Sequence, residues 1–180
     1  MVLFLRRLIN MEKVNYLSVV EEVMQQVKST GAFLVVKSKV DKKINLMTIG
    51  WAAFGFMWRK PIMTVMVRKS RFTHHIIEKA SSFTVNIPTN DLEEALNFCG
   101  TKSGRDFNKF KECNLSIVPA QQVDTPVINL QGFHYECKIV YKNIISPDFL
   151  CQEYKEDLYT DNDYHTLYFG EIAACYKTIS

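Results

Sequence analysis

Apolar and polar positions change period several times along this chain, and each change marks an element. From Val14 to Lys28, Leu17, Val20, Met24 and Val27 recur at spacings of three and four, the repeat of an amphipathic helix. Ser18, followed three residues later by Glu21, resembles a capping box, and Gly31 is a natural stop. Ala32 to Val36 reads as a strand, Asp41-Lys42-Lys43 as a polar turn, and Ile44 to Ala53 as one second strand. Residues 57–61 predict a loop, and the apolar run Ile62 to Val67 a third strand behind Pro61.

A helix is predicted from Phe72, and Phe83 to Ile87 alternates as a strand stopped by Pro88. Asn90 and Glu93 open a short helix through Phe98. Residues 99–105 form a loop punctuated by Gly and Ser, and 106–112 predict another short helix. Beyond it the pattern is almost entirely β, with runs at 115–118, 126–130, 132–144 and 166–176. Strands joined mostly by turns argue against a doubly wound sheet. They predict a mainly β fold, a closed antiparallel barrel with a few peripheral helices. A barrel of 180 residues has little interior to spare. A ligand would therefore sit on its surface or at a subunit boundary.

Composition narrows the function classes. The chain is 47% hydrophobic and 23% charged, which excludes wholesale disorder. A net charge of +3 suits a phosphate-bearing small molecule but not nucleic acid, which calls for a strongly basic surface. No apolar stretch is long enough to span a bilayer, so no membrane partner is expected. Cys99, Cys113, Cys137, Cys151 and Cys175 are odd in number and show no metal-ligand spacing. They read as reduced thiols of a cytoplasmic protein, most of them small buried apolar residues, with no metal. In residues 1–10 the charge follows the apolar run, the wrong order for a targeting segment. Those ten are expected to be an N-terminal extension, with one domain over 11–180.

Candidate chemistry concentrates at residues 68–75, Arg-Lys-Ser-Arg-Phe-Thr-His-His, where a strand gives way to a helix. Free N–H groups of a first helical turn, hydroxyls and two arginines suit an anion. The competing reading is a surface turn with an ordinary Ser/Thr helix cap. No glycine-rich dinucleotide fingerprint is present. His134 and His165 fall in predicted β runs without visible partners. Cys99 precedes the loop Gly100-Thr101-Lys102-Ser103-Gly104, and a redox or substrate-contact role for it beside a ligand at that loop requires an exposed, reactive thiol.

Three segments together resemble the flavin reductase-like, FMN-binding split-barrel family, and within it the flavoredoxins. They are residues 45–51 (Asn-Leu-Met-Thr-Ile-Gly-Trp), residues 68–74 with the following helix and 83–88, and residues 99–110 (Cys-Gly-Thr-Lys-Ser-Gly-Arg-Asp-Phe-Asn-Lys-Phe). The late Tyr168-Phe169-Gly170-Glu171-Ile172 also fits, so the likeness covers nearly the whole chain. It implies a split β-barrel of antiparallel Greek-key type that binds FMN. The strand at 45–51 would lie along the flavin, with Asn45, Met47, Thr48 and Ile49 as contributors. Two of Met47, Ile49 and Trp51 suit the core at their alternating positions. Ser70, Arg71 and Thr73 would take the phosphate, and Ser103, Gly104 and Lys109 would close over the ribityl-phosphate end. Asn108 stands where the family often carries an acidic residue, which removes any ion pair at that position.

The resemblance further implies a homodimer that completes the pocket, and an oxidoreductase passing reducing equivalents from NAD(P)H or a protein donor. No protein acid or base is required, because the flavin supplies the chemistry. Two other readings stand beside it, a flavin-binding module without turnover and a β-barrel interaction protein without flavin.

Overall fold

The structure is a computed structural model that describes residues 10–179. The expected extension at 1–10 lies outside the described residues except for Asn10, which opens a short strand, β1 (Asn10–Lys13). The chain continues through α1 (Val20–Ser29), β2 (Ala32–Lys37) and β3 (Ile44–Ile49). Next come β4 (Ala52–Met57), β5 (Lys60–Arg68), α2 (Phe72–Ile77) and β6 (Ser82–Pro88). Two helices, α3 (Glu93–Thr101) and α4 (Lys109–Glu112), precede the short β7 (Ile117–Val118) and β8 (Val127–Ile128). The long β9 (Gly132–Ile144) and β10 (His165–Ile179) flank α5 (Gln152–Leu158).

Strands run in the order β3-β2-β6-β9-β10-β5-β4, with β1 added on β10 and every pairing antiparallel. Neighbours distant in sequence, such as β2 beside β6, require crossings of the Greek-key kind. β3 and β4 end the order at opposite edges, yet only Gly50 and Trp51 separate them in the chain. Three Cα–Cα steps reach at most about 11 Å. The two edges therefore meet, and the sheet curls into a barrel split between β3 and β4. The fold is mainly β, as the turn-linked strands predicted.

β2 shows why its sequence is continuously apolar. Leu34 and Val36 enter the barrel core with Met63, Val65, Phe83 and Tyr135, whereas Phe33 and Val35 face a second core with Leu96, Cys99 and Ile128. A strand buried on both faces loses the apolar/polar alternation. The second core fixes α3 against the outside of the barrel, and that position builds the site.

Several expectations are corrected. The strand predicted from Ile44 to Ala53 is two strands broken at Gly50-Trp51. The predicted loop at 57–61 is a tight hairpin, in which Trp58 and Arg59 take positive φ of 53° and 59° and Lys60 already starts β5. α1 starts at Val20 with no side-chain cap. Ser18 Oγ donates to the Asn15 carbonyl, a local turn that competes with the helix and removes the expected capping box. Among the described residues no helix is long and apolar enough to cross a membrane.

Candidate functional site

β5 ends at Arg68, and the chain turns through Ser70 into α2. Arg71 N–H closes the turn on the Arg68 carbonyl at 3.1 Å, and Arg71 is itself the N-cap, with no side-chain capping bond. The turn is therefore not an ordinary Ser/Thr cap. A cleft of about 280 Å³ opens over it, walled on the other side by Thr101 at the end of α3 and the 102–105 loop. A second cleft of about 220 Å³ adjoins it along β3 and Trp51, and the two share Met47, Arg68 and Arg71.

Charge in the larger cleft is predominantly positive. Arg68, Arg71, Lys102, Arg105 and Lys109 line it, against the carboxylates of Asp161 and Asp163. Arg105 is held over the Phe72 ring at 5.2 Å, with Lys43 over the same ring at 4.6 Å. The Arg71 guanidinium makes no hydrogen bond among the described residues, so it faces both clefts with its donors free.

The residues predicted from three distant segments converge here. Met47, Ser70, Arg71, Thr73, Ser103, Gly104 and Lys109 all line the larger cleft, and Met47, Thr48 and Ile49 line the second. Asn45 lies just beneath, where its Nδ2 donates to the Thr73 hydroxyl at 2.9 Å. Gly104 is a glycine because of that neighbour, since a Cβ there would fall on the Asn45 side-chain oxygen. Thr48 donates its hydroxyl to the Leu96 carbonyl, so only its backbone is left to face the cleft. Met47 and Ile49 belong to the barrel core, as expected for two of the three, while Trp51 is exposed because β3 ends at Ile49 and leaves it outside the strand.

Lys109 is not a solvated lysine. Its ammonium is buried and donates to the Leu46 carbonyl at 3.1 Å and the Cys99 carbonyl at 2.7 Å. Burial lowers its pKa. Asn108 accepts from Lys111 N–H and so caps α4, a role that needs a side-chain oxygen but no charge.

Sequence reasoning missed the segment before β10. Asp163 accepts from Ser70 N–H at 3.1 Å and from the Ser70 hydroxyl, occupying donors assigned above to a phosphate. Arg68 donates to the Leu158 carbonyl at 2.7 Å and pairs with Asp161 at 3.3 Å. Beside it Trp51 packs on His165 at 4.7 Å, and the Tyr159 hydroxyl bonds His165 Nδ1 at 2.8 Å. The acidic spacing Asp161…Asp163 facing a basic turn was the available signal, but nothing local places the two segments together.

Three histidines, His74, His134 and His165, are shifted toward the neutral form by burial. Burial lowers the pKa of His165 to about 4, and Arg68 adds to the effect. His134 also falls to about 4 through burial, with Asn86, Leu130 and Thr178 as its partners. His74, bonded to Thr166, is lowered by burial too. Cys99 is buried, and burial pushes its thiol up to about 12, which ends the idea of Cys99 as an exposed attacking group in the cleft.

A family model described as "Flavin reductase like domain" matches residues 26–178. The chain is 28% identical over 155 residues to an uncharacterised protein of Archaeoglobus fulgidus, covering 86% of this chain and 76% of that one. Among solved structures it is similar to the flavoredoxin of Desulfovibrio vulgaris (Miyazaki F), with TM-score 0.63 and 26% identity over 84% of this chain and 70% of that one. The flavoredoxin of Methanosarcina acetivorans gives TM-score 0.62 and 25% identity, over 82% and 68%. A structure described as an FMN-binding domain of a flavin reductases-like enzyme from Shewanella baltica shares the fold, with TM-score 0.64 and 18% identity over 94% and 78%.

Proposed function

This chain belongs to the flavin reductase like family, and from that premise we propose that it binds FMN across the two adjoining clefts and passes reducing equivalents through it. The observation that carries the reading is the five cations of the larger cleft beside the unpaired edge of β3. A phosphate needs charge and N–H or hydroxyl donors, and a flavin ring needs a flat wall with backbone groups near its polar edge. Arg71, Ser70 and Thr73 hold the phosphate in this reading. Ser103, Gly104 and Lys109 close over the ribityl chain, while Asn45 fixes Thr73.

The edge of β3 at Met47, Thr48 and Ile49 faces the ring, and the exposed Trp51 face lies at the same cleft. Bound FMN would supply the hydride and electron transfer itself. The protein's part is to position the ring and to offset the phosphate charge. Neutral His165, packed at a tilt against Trp51, is not a proton donor near pH 7 in this scheme.

We also infer a homodimer. An apolar groove of about 700 Å³ between α1 and the β4–β5 hairpin continues the second cleft through Gly50, Trp51 and Met66. A second copy seated there would cover Trp51 and complete the ring site.

The test is an anaerobic absorbance spectrum of purified protein, followed by titration with FMN and riboflavin. A yellow protein, stabilised against heat by added FMN, supports the reading. Bleaching by NADH or NADPH assigns a reductase; where only dithionite bleaches, a carrier requires reduction by a protein donor as well, and its absence leaves a flavin-binding module without turnover. Arg71→Ala should weaken FMN about thirtyfold, or about 2 kcal/mol, and leave riboflavin within twofold. Equal loss for both ligands sinks the phosphate assignment, and a colourless protein indifferent to FMN sinks the whole reading. Sedimentation of the same sample reports the dimer, and a monomer with full FMN affinity rejects it.

A further inference from the structure

Behind the larger cleft, α3 and α4 bring two thiols together. Cys99 Sγ and Cys113 Sγ lie 3.8 Å apart, in contact although 14 residues separate them. The other three thiols are distributed differently. Cys137 and Cys175 are buried in the barrel core, and Cys151 is exposed at the start of α5. Cys99 lies in the second core, whereas Cys113 is half-buried at the C-terminal end of α4. It lines an open groove of about 480 Å³ whose charged members, Asp91, Glu93, Glu94 and Glu112, are all acidic.

We propose that Cys99 and Cys113 form a redox-active dithiol, which takes oxidising equivalents from small cationic disulfides entering the acidic groove. The roles follow from burial. Cys113, reachable from the groove, attacks one sulfur of the incoming disulfide and forms a mixed disulfide, releasing one small thiol. Cys99 then attacks Cys113 Sγ, which closes the Cys99–Cys113 bond and releases the second small thiol. The balance is complete: two protein thiols lose two electrons and two protons, and one small disulfide becomes two thiols. Four carboxylates attract a disulfide carrying ammonium groups and repel an anionic one, an effect that salt screens.

The geometry also sets the kinetics. Closure waits on deprotonation of a buried thiol, so it is the slower step and accelerates about tenfold per pH unit over the neutral range. The bond would tie the C-terminal part of α3 to the end of α4. Lys109 already joins these elements, because its ammonium donates to the Cys99 carbonyl and its own carbonyl accepts from Cys113 N–H. This dithiol chemistry stands apart from the flavin reading, since it rests on the two thiols and the acidic groove.

The experiment treats reduced full-length protein with cystamine at low salt, quenches it with acid, and maps peptides by mass spectrometry. The expected product is a Cys99–Cys113 linked peptide, preceded by a cysteamine adduct on Cys113. Cys99→Ala should stop at that adduct, and Cys113→Ser should abolish both species. Glutathione disulfide should react at Cys113 at least several-fold more slowly, with the gap narrowing in high salt. Modification of Cys151 without any 99–113 link overturns the proposal, as does a link from Cys113 to another cysteine. Equal rates for cystamine and glutathione disulfide at low salt overturn the assigned ligand class. The wild-type map decides the central point even if a variant fails to fold.

Discussion

Glu136 and Asp163 both accept backbone amides from a distant segment, and they do opposite jobs. Glu136, fully buried in β9, takes Gln121 N–H at 2.7 Å and the Tyr176 hydroxyl at 2.9 Å on one oxygen, and Gln122 N–H at 2.6 Å on the other. Asp163, half-buried on the connection into β10, takes Ser70 N–H and the Ser70 hydroxyl. The bonding is alike but the replaceability is not. Glu136 projects from a strand paired on both sides, between Thr84 and Ala174, and nothing from solvent can take its place. Asp163 sits at the mouth of a cleft where five cations also favour a phosphate, which carries more charge and more acceptor oxygens. The first carboxylate is a strut, and the second holds a place that a ligand can claim.

The largest effect should come from the strut. Glu136→Ala strands two amide donors and a tyrosine hydroxyl, and should cost about 4 kcal/mol of stability, read by urea denaturation. A loss below about 1 kcal/mol would erase the distinction between the two carboxylates. Next comes His134, buried in the same strand. Its folded pKa is about 4, against an ordinary value near 6.5 in the unfolded chain. Between those values the unfolded state binds the extra proton, so stability falls as pH drops from about 6.5 to about 4. The full window is worth about 3 kcal/mol. His134→Gln should flatten that part of the curve of melting temperature against pH, and an unchanged slope would reject the assignment.

The place-holder should give the smaller signals. The Arg71→Ala loss of FMN affinity described above ranks third. Last is Asp163→Asn, which keeps the shape but removes the competing charge. It should tighten FMN several-fold, about 1 kcal/mol, leave riboflavin unchanged and barely move the melting temperature. Weaker FMN binding would show that Asp163 supports the site.

Legibility followed the range of the interactions involved. β9 was readable to its ends, because alternation and a turn residue at Gly132 are local. The break at Gly50-Trp51 was not, because both strands are apolar and the split comes from the sheet curling to bring its edges together. α5 escaped notice because no residue of it is buried, so Gln152–Leu158 carries no apolar period. The capping box failed because Ser18 had a nearer acceptor in Asn15.

The sequence by itself determined the mainly β class and a basic, hydroxyl-bearing turn at 68–75. It also determined a family likeness that singled out ten site residues. Composition and period are properties of neighbours along the chain, and a family pattern is written in their order. Only the tertiary structure set Asp163 on Ser70, buried Lys109 between two carbonyls and placed Cys113 against Cys99. Each of those contacts joins segments that approach only once the barrel closes and α3 packs on its second core. Burial and proximity, which decide what a charge or a thiol can do, do not exist before that closure.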